Sequence, residues 1–157
     1  MAAAALAAPT LNVLLVEDDD ADVALVEEYF LDQALPGDLH RVPDGIVALQ
    51  YLRRENGFRA APRPDLILLD LNMPRMDGRE LLQVIKAPDS PWKAIPVIVF
   101  TTSSAAEDIA RSYDAYANAF VTKAIDYNDF QGALAKIHEF FGTVASLDRG
   151  KGEQPRA

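Results

Sequence analysis

Five short apolar runs alternate with five stretches of helical period along this chain, and that alternation restricts the fold more than any other feature. The first run, LNVLLV at 11–16, favours β structure and ends abruptly in EDDD, as a buried strand does where it meets solvent. From Asp20 the apolar residues Val23, Val26, Phe30 and Ala34 fall on one helical face, until Pro36-Gly37 stops the pattern. DLHRVP at 38–43 is a weaker strand, and Asp44-Gly45 opens a helix carrying Ile46, Leu49 and Leu52. A Gly- and Pro-rich loop at 56–64 leads to DLILLDL at 65–71, almost wholly apolar between its acids, as a central parallel strand would be. After the turn at 72–78, Leu81, Leu82 and Ile85 mark a third helix. A breaker-rich loop at 87–96 precedes the strand PVIVFTT and a fourth helix with Ala106, Ile109, Ala110 and Tyr113. AFVTK at 119–123 is a short fifth strand. The last helix is the cleanest, with Tyr127, Phe130, Leu134, Ile137 and Phe141 in a regular stripe.

Repeats of strand and helix, each unit about 25 residues long, imply parallel strands joined by right-handed crossovers that cover both faces of one sheet. The expected fold class is therefore α/β: a flavodoxin-like, doubly wound, five-stranded parallel sheet in the order 2-1-3-4-5 with five helices. A closed eight-fold barrel needs about 250 residues, and the chain has 157. The expected division is a disordered tail at 1–10, one folded domain at 11–141, and a short polar tail at 142–157 that leaves no room for a second domain.

Composition narrows the chemistry. No cysteine is present, which excludes disulfides, thiolate metal sites and cysteine nucleophiles, and fits a reducing cytoplasmic setting. The two histidines, His40 and His138, are too few for an all-histidine metal site, and both read as surface or interface residues. A formal charge of -9 argues against a nucleic-acid partner and against anionic lipid surfaces. No apolar run approaches the ~20 residues that cross a bilayer, and the opening MAAAALAAP lacks a basic leader.

In open α/β sheets, ligands sit beyond the carboxyl ends of the strands. The first strand delivers Glu17, Asp18 and Asp19 there, the third Asp70 and then Asn72, the fourth Thr101 and Thr102, the fifth Lys123. Singly, each has a plain explanation: acids at a strand–helix junction cap helices and complement the dipole, and a lysine after a strand is usually solvated. Asp70 is harder to dismiss, because an acid closing a buried strand is costly without partners. Clustered carboxylates repel one another, and a hard divalent cation relieves this; oxygen-only ligands suit Mg2+, which completes its shell with water and phosphate oxygens. An ionised Asp70 beside such a metal is a nucleophile toward phosphorus, with Lys123 and the Thr101 hydroxyl available to neutralise phosphoryl oxygens. The site reads as a receiver of phosphate.

The strings LLVEDD, DLILLDLNMPRMDG, IVFTTS and FVTK closely resemble the receiver domain of two-component response regulators, over about residues 11–141. The third-strand motif followed by MPxMDG carries most of the specificity. The resemblance implies that Asp70 is the phospho-acceptor and that Glu17, Asp18 and Asp70 hold Mg2+ together with the backbone carbonyl of Asn72. It implies a switch hydroxyl at Thr101, with Thr102 beside it, and a phosphate-pairing ammonium at Lys123. Phe120 falls at the family's rotating aromatic position, where an ordinary core aromatic is the alternative. The family usually has Lys-Pro with a cis bond where this chain has Lys123-Ala124, which leaves the geometry of that loop open. The FTTSS string, the non-proline after the lysine, the long loop before the third strand and the HEFF ending are similar to regulators that partner bacterial phytochromes.

Implied partners are a sensor histidine kinase, of the bacteriophytochrome kind on that subfamily likeness, and a second copy. The pair would form through the surface of the fourth helix, fifth strand and fifth helix, or through the C-terminal helix. Phe140 and Phe141 together exceed what one narrow stripe needs, which suits such an interface. Trp92 either serves a partner surface or pins its loop. On this reading the chain is a signalling module that catalyses its own phosphotransfer and slow dephosphorylation rather than an enzyme acting on other substrates. A rival is a phosphatase that forms an aspartyl-phosphate, but that chemistry uses an acid two residues on, where Asn72 stands. A flavodoxin-like cofactor carrier would need a Ser/Thr/Gly-rich phosphate loop after the first strand, and EDDD is the opposite.

Overall fold

The computed structural model describes residues 10–33 and 37–148. Ala34, Pro36, the tail at 1–9 and the last nine residues, 149–157, lie outside the described residues. Strands β1 (Val13–Val16), β2 (Leu39–Val42), β3 (Leu66–Leu69), β4 (Val97–Thr101) and β5 (Ala119–Thr122) alternate with helices α1 (Asp20–Asp32), α2 (Gly45–Arg53), α3 (Gly78–Ile85), α4 (Ala106–Asp114) and α5 (Tyr127–Glu139). The sheet is parallel in the order β2-β1-β3-β4-β5, as the alternation predicts. The strands are shorter than the apolar runs: Leu11 is buried yet precedes β1, where Asn12 N–H donates to Asp65 Oδ2 at 2.8 Å.

Alternate side chains along each strand serve opposite layers. Leu14, Val16, Ile67, Leu69, Val97 and Val99 pack with Ala48, Leu52, Leu81, Leu82 and Ile85 from α2 and α3. Val13, Leu15, Leu66, Leu68, Ile98 and Phe100 pack with Val23, Val26, Phe130 and Leu134 from α1 and α5. Trp92 is half-buried against the α2–α3 layer, which favours the loop-pinning role.

Two helices differ from the sequence pattern. In α2 the core face is Gly45, Ala48, Leu49, Tyr51 and Leu52, and Ile46 falls beside that stripe and is exposed. In α4 the expected stripe of Ala106, Ile109, Ala110 and Tyr113 is not a core face: Ser112 is the one buried residue of the helix. Its small apolar residues bury too little area to hold it, and polar contacts take that role. At the other end, the helical backbone of α5 runs on through a π-helical turn at Phe140–Val144, with Phe141 and Leu147 against the α1–α5 layer. Phe140 is half exposed.

Candidate functional site

The functional side chains sit one residue past the strands, held by continuation of the ladder. Glu17 N–H donates to Val42 O (3.1 Å), Asp70 N–H to Val16 O (3.0 Å) and Lys123 N–H to Thr101 O (2.6 Å). Thr101 is the last residue of β4 and fully buried. The backbone thus brings residues 53 apart in sequence to one edge. Gly78 closes the arrangement from behind. Its N–H donates to Leu71 O at 3.0 Å, and a Cβ there would lie 2.2 Å from Asp70 O, so only glycine lets α3 start against the acceptor's backbone.

Glu17, Asp18 and Asp70 each offer a carboxylate oxygen within 4.8 Å of the others. Glu17 and Asp70 are buried and Asp18 is exposed, so the cluster opens to solvent on one side. Burial pushes the Glu17 carboxyl up to about 7, against the lowering pull of Lys123. An oxygen-only donor set of this charge fits a hard divalent cation. Asn72 is exposed in the turn that follows Asp70.

The acids of the EDDD run separate by role. Asp19 caps α1, accepting from Ala21 N–H (2.9 Å) and Asp22 N–H (3.3 Å), which is the plain explanation for an acid at a strand–helix junction. Asp20 pairs with Arg41 at 3.0 Å.

Lys123 is almost fully buried and makes two ion pairs, with Glu17 Oε2 and with Asp22 Oδ2 at 2.8 Å. Burial alone would weaken the ammonium, but the hydrogen bonds to Asp22 and Glu17 outweigh it and hold the lysine firmly charged. Its ammonium also lies 5.8 Å from the Phe100 ring centroid. The Lys123–Ala124 peptide is trans.

Sequence reasoning misses Asp22, whose place in the acidic first turn of α1 reads as dipole compensation alone. It also misses two clasps around the site. Arg75, in the turn after β3 with φ of +65°, donates from Nε and Nη2 to Asp44 at 2.9 and 3.1 Å. Asp44 is buried and also accepts from Val47 N–H; burial would raise its carboxyl, but Arg75 and then Val47 pull it below the usual range. The left-handed backbone at Arg75, costly for a side-chain-bearing residue, is thereby tied to the start of α2. The second clasp joins α3 to α4: Arg79 pairs with Asp108, and Ser103 Oγ donates to the same carboxylate at 2.7 Å. Ser103 and then Arg79 hold that carboxyl below its ordinary value. Thr101 Oγ1 accepts from Ser103 N–H at 3.5 Å, which connects the clasp to the buried hydroxyl.

Thr102 is exposed at the end of β4. Phe120 is half-buried against the α2–α3 layer, and its N–H donates to Tyr113 Oη at 3.2 Å, so an α4 side chain satisfies the edge strand. Among the described residues no helix is long and apolar enough to cross a membrane.

Residues 13–135 match the family model of the response regulator receiver domain. The chain is 40% identical to response regulator Rcp1 of Synechocystis over 140 residues, covering 88% of this chain and 94% of that protein. Its structure resembles that of a phosphorylated cyanobacterial phytochrome response regulator, RcpA, with a TM-score of 0.83 and 41% identity over 88% of this chain and 98% of the other. It also resembles the Mn(2+)-bound form of Rcp1, with a TM-score of 0.80 and 38% identity over 88% and 99% of the two chains. Fold, strand-end cluster and these similarities agree: the chain belongs to the response regulator receiver family, whose members signal through phosphorylation.

Proposed function

We propose that residues 11–141 form a receiver that takes a phosphoryl group onto Asp70 from a phosphohistidine of a sensor kinase, with Mg2+ at Glu17, Asp18, Asp70 and the Asn72 carbonyl. The observation that carries this is the convergence of the three carboxylates with a buried lysine at one sheet edge. A bound Mg2+ would offset part of the charge that accumulates around phosphorus. Asp70 supplies the attacking oxygen, the bond from histidine nitrogen to phosphorus breaks, and an acyl phosphate forms. Lys123 and the Thr101 hydroxyl each neutralise a phosphoryl oxygen, and Thr102 lies at the mouth of the same edge. Hydrolysis of the acyl phosphate returns the free carboxylate, so the domain resets itself and acts on no other substrate.

Phosphorylation would draw Thr101 inward and, through Ser103, shift α4, with Phe120 turning into the vacated space. The output would be protein contact in the cytoplasm, including pairing of two copies through the α4–β5–α5 surface or the C-terminal helix, where Phe140 and Val144 are exposed. The likeness to RcpA supports a kinase of the bacterial phytochrome kind. Neither nucleic acid nor membrane is a partner on this reading.

Incubation with acetyl phosphate and Mg2+, read by intact mass, tests the assignment. One added phosphate is expected, absent in Asp70→Asn and absent after chelation of the metal. A modification that survives the substitution would sink it. Phosphotransfer from a bacteriophytochrome kinase should outpace transfer from an unrelated kinase, and equal rates would remove the phytochrome link. Phe140→Ala should lower the mass in solution of the phosphorylated form; an unchanged monomer in both chains would remove the C-terminal interface.

A further inference from the structure

We propose that Asp22 is a positioning residue that competes with the phosphoryl group for Lys123 and so limits how tightly the site retains phosphate. The inference rests on Asp70 being the acceptor. Lys123 is anchored to Glu17 and Asp22, and Asp70 is not among its ion pairs. The two anchors are not equivalent. Glu17 belongs to the three-carboxylate cluster and Asp22 does not. A cation held by that cluster would share the charge of Glu17, leaving Asp22 as the carboxylate committed to the lysine.

Asp22 sits on the first turn of α1, with its side chain about one quarter exposed (24%). Its backbone is held by the helix start, where its own N–H is tied to the Asp19 cap at 3.3 Å. A phosphoryl group on Asp70 brings close to two negative charges and three strong acceptor oxygens. The ammonium has three N–H donors, two of them already engaged by carboxylates. The third N–H remains for a phosphoryl oxygen, and Asp22 competes with that oxygen for the ammonium's charge and position. That bond is therefore set against the phosphorylated state. An asparagine keeps the shape and the compatibility with a helix start but removes the charge.

The test measures binding of beryllofluoride, a mimic of the phosphoryl group, to the full chain at saturating Mg2+, together with the half-life of the acyl phosphate. Asp22→Asn should tighten beryllofluoride between about twofold and fivefold, the range a partly exposed ion pair supplies, and lengthen the half-life in the same direction. Asp22→Glu should restore the parent's affinity. In a Lys123→Ala background the Asp22→Asn change should have no effect, because the competition runs through the lysine. Affinity equal to or weaker than the parent's, or the same gain without Lys123, would overturn the proposal. Failure of the acceptor assignment looks different: the parent itself would gain no phosphate at Asp70.

Discussion

The centre of the sheet and its β5 edge are built by different means. β1 and β3 bury every residue and are packed between helices on both faces, and they carry Glu17, Asp18 and Asp70. At the β5 edge, the strand has half-exposed residues, and α4 buries only Ser112. There the links are polar: Arg79 and Ser103 on Asp108, and Tyr113 Oη on Phe120 N–H. Apolar packing resists displacement in every direction, whereas hydrogen-bonded clasps open when one partner is drawn away. The acceptor thus sits on the rigid part, and the element expected to respond sits on the part with the smaller apolar hold.

Truncating a side chain in each region separates the two most sharply. Leu69→Ala removes a fully buried side chain from β3 and should cost about 3 kcal/mol by chemical denaturation, within the usual range for such cavities. Val121→Ala on half-buried β5 should cost about 1 kcal/mol or less, since less area is withdrawn from water. Equal losses would mean that the edge is as tightly packed as the centre.

The Arg75–Asp44 clasp lies away from the α4–β5 edge, and Arg75→Ala should cost about 1 kcal/mol near neutral pH, modest because the arginine is half exposed. The folded pKa of Asp44 lies below its ordinary 3.8, so its contribution is fully present above that value and fades as pH falls through the folded pKa. The stability gap between Arg75→Ala and its parent should therefore shrink on acidification below about 4. A gap independent of pH would show that the clasp acts through packing.

The smallest effect on global stability is expected from Arg79→Ala. Amide exchange should quicken in α4 and the loop before it, with β1 and β3 unchanged. Uniform exchange across the chain would show that α4 is held by something other than this clasp.

Much of the molecule was legible in the sequence because period and strand-end chemistry are local. The run DLILLDL announces a central strand, and its closing acid announces the site. The core face of α4 was not legible, since Ala106, Ile109, Ala110 and Tyr113 match a helical period without supplying enough area to bury. Asp22 was hidden by an equally good local reason for its presence, an acid in the first turn of a helix. Asp44–Arg75 and Arg79–Asp108 join residues about 30 apart, and no periodicity reports such pairs.

By itself the sequence determined the alternation of strands and helices, hence the doubly wound sheet, and the types of group that its carboxyl edge presents. Only the tertiary structure decided how those groups share charge. Lys123 is paired with Glu17 and Asp22 rather than Asp70, and Asp19 is spent on a helix cap. The reason is physical: backbone period is set by neighbours along the chain, whereas the partner of a buried charge is set by which oppositely charged groups the packed sheet brings within a few ångströms.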